Sequence, residues 1–137
     1  ACLKRHGFFS FEVNDRIRKT SMKVTRLSTG PDNRSFFEDI EVPFDSREDF
    51  GLFTLPEPAK AVFFREIPPG WVYSWHNVVC RGYVLTIEGE AEVEVGNGDK
   101  RILRKGNVLL AEDLVGRGRR TRVMGNRVWR QVFVTLP

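Results

Sequence analysis

From Ala61 onward the chain alternates apolar and polar residues in short runs, interrupted every ~8–12 positions by glycine, asparagine, aspartate or proline. The segment "EAEVEV" is the clearest case. Ala91, Val93 and Val95 fall on one face of an extended chain and Glu90, Glu92 and Glu94 on the other. "AVFFREI" ends at Pro68-Pro69-Gly70, which must turn. "WVYSWHNVV" and "YVLTIEG" are rich in the β-branched and aromatic residues that fit a pleated, half-buried surface. The run Gly96-Asn97-Gly98-Asp99 supplies the backbone freedom of a hairpin turn. "KRILR", "NVLLAED", "RTRVMG" and "RVWRQVFVTL" continue the series, and no stretch of a dozen residues repeats at helical spacing. The pattern predicts an all-β sandwich or barrel.

The first part of the chain reads differently. Met22 opens "MKVTRLSTG", a strand pattern in keeping with the rest of the chain, whereas residues 1–21 match it poorly. The expected division is an extension or arm over 1–21 and one barrel domain over 22–137. "FFSFEV" in the arm has the makings of an edge strand or of a cover for a partner subunit. Residues Asp32 to Asp49 form the most acidic stretch, and Pro31, Pro43 and Gly51 give it loop-like breaks.

Length bounds the answer to one domain with a single moderate core, since the chain has 137 residues. The net charge of +4 raises the question of nucleic acid, and its distribution argues against it. Residues 1–23 hold six Lys and Arg against Glu12 and Asp15, a surplus of four, so residues 24–137 are neutral overall. One basic run remains, "GRGRRTRV", whose plain reading is a solvated loop and strand end. No run of about 18 apolar residues exists, and the first twenty residues lack a secretory signal pattern. Cys2 and Cys80 are too few for a disulfide scaffold. Reduced thiols and a cytoplasmic protein, with neither membrane nor nucleic-acid partner, are expected.

"GWVYSWHNVVCRGYVLTIEG" carries the most specific signal. Gly70 is followed by five residues and His76, and six residues separate Gly82 from Gly89. Further on, Gly98 precedes Arg104-Lys105-Gly106 by five residues, and Arg119 lies beyond "NVLLAED". This framework, over roughly residues 58–137, resembles the two motifs of the cupin superfamily. The resemblance implies a cupin-type jelly-roll β-barrel (a double-stranded β-helix) and a homodimer. It also implies four metal-ligand positions, which fall here on His76, Val78, Gly82 and Arg119.

Only His76 of those four can hold a metal. A first-row ion needs about three nitrogen, sulfur or oxygen ligands at ~2.0–2.3 Å. The second histidine, His6, lies in the arm. Cys80 is four residues along from His76, about 13 Å on an extended strand. Arginine keeps its proton and repels a cation. No bound metal and no other cofactor is therefore expected.

Two readings of His76 remain open: a hydrogen-bonded core histidine, or a polar group in a ligand pocket at the open end of the barrel. A guanidinium at Arg119 would put a positive centre where the family keeps its metal, which favours a small organic anion such as a carboxylate or phosphate. Tyr73, Ser74, Val78 and Tyr83 complete the expected pocket, with Thr86 as a further inward candidate. Trp71, Trp75 and Trp129 supply aromatic area for the core, an interface or a ligand. Glu112 and Asp113 are expected to pair with the nearby arginines. The alternative to a binding protein is a metal-independent isomerase, epimerase or cyclase, with His76 as acid or base and Tyr73 or Tyr83 as partner. A metal-dependent oxygenase is disfavoured by the missing ligands.

Overall fold

A computed structural model describes residues 21–137, so the expected arm lies outside the described residues except for Ser21. Eleven strands are described: β1 (Ser21–Thr29), β2 (Ser35–Glu48), β3 (Gly51–Thr54), β4 (Ala61–Ile67), β5 (Val72–His76), β6 (Gly82–Glu88), β7 (Glu90–Val95), β8 (Lys100–Leu103), β9 (Val108–Ala111), β10 (Arg119–Met124) and β11 (Trp129–Thr135). The described residues contain no helix, and so none long and apolar enough to cross a membrane.

The chain divides into two compact units. The larger comprises Val24–Ile40 and Pro58–Pro137. In it β1, β9, β6, β11 and β4 lie side by side in one sheet, and β5, β10, β7 and β8 form a second. Neighbours are antiparallel except β1 and β9, whose parallel register sets Arg26 against Leu110.

Alternation builds the core between these sheets. On β7, Ala91, Val93 and Val95 are buried, and the glutamates between them are not. Val123 and Leu103 join them from the same sheet, and Leu27, Val84, Leu109, Ala111, Trp129 and Phe133 face them from the other. Two antiparallel-rich sheets sharing one interdigitated core make an all-β jelly-roll barrel. The four glycines of the sequence framework all turn corners at positive φ: Gly70, Gly89, Gly98 and Gly106. At Gly89 the constraint is double. A Cβ would also lie 2.2 Å from the Val128 carbonyl oxygen, so no other residue fits without moving β11.

In the smaller unit, the described residues are Ser21–Lys23 and Glu41–Glu57. The second half of β2 pairs with β3 from Phe44↔Thr54 to Glu48↔Gly51. The strand β2 thus runs through the acidic stretch and past Pro43, where a loop-like break was expected. Ile40, Val42 and Phe44 are half-buried, alternating with exposed Asp39, Glu41 and Pro43. Such alternation is a strand pattern despite the acidity. Pro43 precedes the irregular pairing between Phe44 and Ser46, where a missing ladder donor is tolerated.

Candidate functional site

The larger unit holds a cavity of about 340 Å³. Its floor is apolar and buried, formed by Val84, Val93, Leu109, Val123, Trp129 and Phe133. Its mouth carries half-exposed Trp71 and Tyr73. Between floor and mouth stand Arg65, His76 and Arg119.

Strand pairing explains the placement of these three. His76 and Arg119 are direct partners across β5 and β10, so their side chains share a face. The next pair is Thr121↔Tyr73, two positions along β10 but three along β5. This bulge inserts an extra residue into β5 and breaks its alternation. Tyr73 and His76 both reach the cavity as a result, with ring centroids 4.3 Å apart. Gly118 permits the close approach at this point. It has φ +74, and a Cβ there would lie 2.1 Å from the His76 carbonyl oxygen.

His76 Nδ1 lies 2.7 Å from the Ser74 carbonyl oxygen. A carbonyl only accepts, so Nδ1 carries the proton, and in the neutral ring Nε2 is left as an acceptor. Burial holds the imidazole below its ordinary pKa, the Ser74 hydrogen bond works the other way, and the charges of Arg119 and Arg65 lower it further. The neutral form is the resting one.

Arg119 is only 8% exposed and donates from Nη1 to Asp113 Oδ1. Asp113 is fully buried, and its other oxygen accepts from Ser35 Oγ at 3.2 Å. Burial pushes the Asp113 carboxyl up against the pull of Arg119, and lowers Arg119 in turn. Desolvation thus opposes the pair, and each charge depends on the other to remain buried. Glu112, the other expected carboxylate partner, instead bridges Arg26 and Arg81.

Arg65 is different. It stands opposite Gln131 across β4 and β11, and its Nη2 donates to Gln131 Oε1 at 2.8 Å. Its guanidinium lies 5.6 Å from the Phe133 ring centroid and 5.9 Å from that of Phe63. Among the described residues it forms no salt bridge, so it lines the cavity with its charge unmatched. Burial lowers its proton affinity and Tyr73 works the other way, yet a guanidinium remains charged at any working pH.

Of the residues expected to line a pocket, His76, Arg119, Tyr73 and Val78 line this cavity. Ser74 and Tyr83 do not. The β5 bulge leaves Ser74 exposed, with its carbonyl engaged by His76. Tyr83 projects from β6 on the side opposite Val84, and Val84 takes the cavity wall. Thr86 is buried and accepts from Trp129 Nε1 at 3.0 Å, away from the lining. The cavity residue missed in the sequence is Arg65. It lies between Phe63 and Ile67 on the row of β4 that faces the cavity, and the other row carries Glu66 in the same way, so no local signal singled it out.

A metal ion does not fit these residues. Among the described residues no group of three His, Cys, Asp or Glu side chains is placed to hold one. Val78 and Gly82 carry no donor, and Arg119 brings a positive charge. Cys80 is free and exposed.

The larger unit is thus a two-sheet jelly-roll barrel with a lined interior cavity. No protein-family model matches the chain. It is 36% identical over 56 residues to a protein of Neurospora crassa named cupin-domain-containing oxidoreductase srdB, covering 41% of this chain and 29% of that one. It is 38% identical over 56 residues to the oryzines biosynthesis cluster protein J of Aspergillus oryzae, covering 41% and 31%. Each match thus spans less than a third of the relative's length. Among solved structures, protein NMB1881 from Neisseria meningitidis superposes with a TM-score of 0.44 at 20% identity, over 56% of this chain and 72% of that one. The jelly-roll fold and the glycine framework are in keeping with the cupin name of the Neurospora crassa relative, to which this chain is similar over that 56-residue segment.

Proposed function

We propose that this barrel is a metal-free cupin that holds a small organic anion in its cavity, with Arg65 as the charge partner. The carrying observation is the contrast between two cavity arginines. Arg119 is neutralised by Asp113, whereas among the described residues Arg65 forms no salt bridge, donates its hydrogen bonds to the neutral Gln131 and lies beside two aromatic rings. A half-buried cation facing an apolar cavity is stabilised by an anion that enters it, and a guanidinium matches carboxylate or phosphate in two-point geometry. A thermal-shift screen of organic acids and sugar phosphates tests this. At least one should raise the melting temperature of the native protein, and none should do so for Arg65→Met. A panel that shifts neither protein sinks the reading.

One observation favours a second reading, a metal-independent acid–base enzyme. His76 Nε2 is an unprotonated base on the cavity wall with the Tyr73 phenol ring beside it. The name of the Neurospora crassa relative does not choose between binding and catalysis here. Trapping a bound acid and following it by mass spectrometry separates the two, since only an enzyme changes its mass or isomeric form.

A homodimer is also proposed. On the outer face of β4, Val62 and Phe64 are 58% and 76% exposed, in register with half-buried Val134 and Val132 of β11. Sedimentation of the native protein and of Phe64→Lys tests it, and a monomer in both would discard it.

A further inference from the structure

Resting on the anion reading, we infer that the occupant is a hydroxy acid with an apolar body: its carboxylate meets Arg65, and its hydroxyl donates a hydrogen bond to His76 Nε2. Three features of the wall carry this. Arg65 can only donate hydrogen bonds, which selects an acceptor group with negative charge. His76 is fixed the other way round. Its Nδ1–H is engaged by the Ser74 carbonyl, and no other hydrogen-bond partner of the ring exists among the described residues. Nε2 therefore presents a lone pair, and a ligand satisfies it only by bringing O–H or N–H. Apart from Asn77, Thr121 and Arg119, whose charge Asp113 matches, the rest of the lining is aliphatic or aromatic, so the ligand between these two polar points is largely apolar.

Size sets the scale. A cavity of 150 Å³ holds benzene, so about 340 Å³ accommodates a substituted ring or a chain of similar bulk. The inference separates hydroxy acids from plain acids of the same shape. A plain acid leaves Nε2 dry and unpaired, and a methyl ether places a methyl group against the lone pair. Unpaired buried acceptors are what give polar pockets their discrimination.

The experiment is calorimetric titration of the full chain at pH 7.5 with benzoate, the three hydroxybenzoates, their methyl ethers and phenol. At least one hydroxybenzoate should bind about tenfold more tightly than both its methyl ether and benzoate. That preference should vanish in His76→Phe and persist in His76→Gln, whose carbonyl still accepts. Melting temperatures of both variants are compared with the native protein, and His76→Gln carries the result if His76→Phe does not fold. Equal affinity for hydroxybenzoates, ethers and benzoate overturns the hydroxyl inference and leaves the anion reading standing. Phenol binding as tightly as the acids overturns both. Binding of none of the acids also overturns this inference, and the anion reading then stands or falls on the wider acid screen.

Discussion

Asp113 and Arg119 form a buried ion pair at the cavity wall, which leaves Arg65 as the cavity arginine without a salt bridge among the described residues. Removing one member of such a pair leaves the other charge buried and uncompensated, at a cost of about 3–5 kcal/mol. Arg119→Met should therefore lower stability by that order in chemical denaturation. Arg65→Met should cost less, about 1–3 kcal/mol, since it leaves the buried Gln131 Oε1 without its donor and removes the contacts with Phe63 and Phe133 but orphans no charge. Affinity for an organic acid should behave the opposite way, with Arg65→Met costing about 10–100-fold. The double variant Asp113→Leu/Arg119→Met should recover much of the single variant's loss, because no orphan charge remains. Equal destabilisation by the two single substitutions would show that Arg65 is as structural as Arg119.

The histidine makes a prediction about pH. His76 is held below its ordinary value, near 6.5, chiefly by burial and also by Arg119 and Arg65. The unfolded chain consequently takes up a proton at higher pH than the folded one. Stability is complete above the unfolded value and falls as pH drops below about 6.5, until the folded histidine protonates as well. Proton NMR of His76 should show a midpoint below 6.5, and His76→Gln should flatten this part of the stability profile. A midpoint above 6.5 would mean that a carboxylate outweighs the arginines at this ring. Arg65→Met should raise the midpoint, since one of the repelling charges is gone.

Gly118 places the whole constellation. It combines φ +74 with a Cβ position 2.1 Å from the His76 carbonyl oxygen and 3.1 Å from the Asn77 nitrogen. Both obstacles are backbone, so neither can swing aside. Gly118→Ala should destabilise the barrel by at least about 2 kcal/mol, the left-handed penalty plus the clash. If it folds, the β5–β10 pairing at His76↔Arg119 should open, and acid binding should weaken with it. A fully stable Gly118→Ala protein with native affinity would refute that role.

How much of this was visible in the sequence varies by element, for physical reasons. β4 and β7 coincide with the runs "AVFFREI" and "EAEVEV", and on β7 a side-chain period of two with one buried face leaves a strong imprint. β2 was missed because its outward row is acidic and carries Pro43, and composition outweighed the alternation of Ile40, Val42 and Phe44. The motif spacing located His76, and Arg119 as its opposite number, and the register places them face to face. Pairing of Asp113 with a nearby arginine was expected from the sequence; that its partner is Arg119, the arginine motif spacing puts opposite His76, depends on how the loop between them folds back. Arg65 was illegible for a sharper reason. Each face of β4 is mostly apolar with one charge: Ala61, Phe63, Arg65 and Ile67 on one, Val62, Phe64 and Glu66 on the other. Nothing local says which row turns inward. Pairing with β11 settles it, by setting Arg65 against Gln131 and Phe63 against Phe133. The β5 bulge was equally hidden, and it is what admits Tyr73 and excludes Ser74.

Gln131 offers the most direct way to switch the cavity off. It is fully buried, its Oε1 accepts from Arg65, and its Nε2 has no hydrogen-bond partner among the described residues. Gln131→Glu keeps the shape of the side chain and replaces the orphan amide nitrogen with an oxygen that Arg65 can also engage. The new carboxylate neutralises Arg65 internally, as Asp113 does Arg119. Affinity for an organic acid should fall about as far as in Arg65→Met, roughly 10–100-fold by the strength of a charged hydrogen bond. The melting temperature should stay within a few degrees of native, since an imperfect amide contact gives way to an ion pair whose desolvation cost and attraction nearly offset. Native affinity in a folded Gln131→Glu protein would remove Arg65 as the charge partner, whatever Arg65→Met had shown. Lost affinity with an intact fold isolates the charge of Arg65, because the shape and apolar lining of the cavity are left as they were.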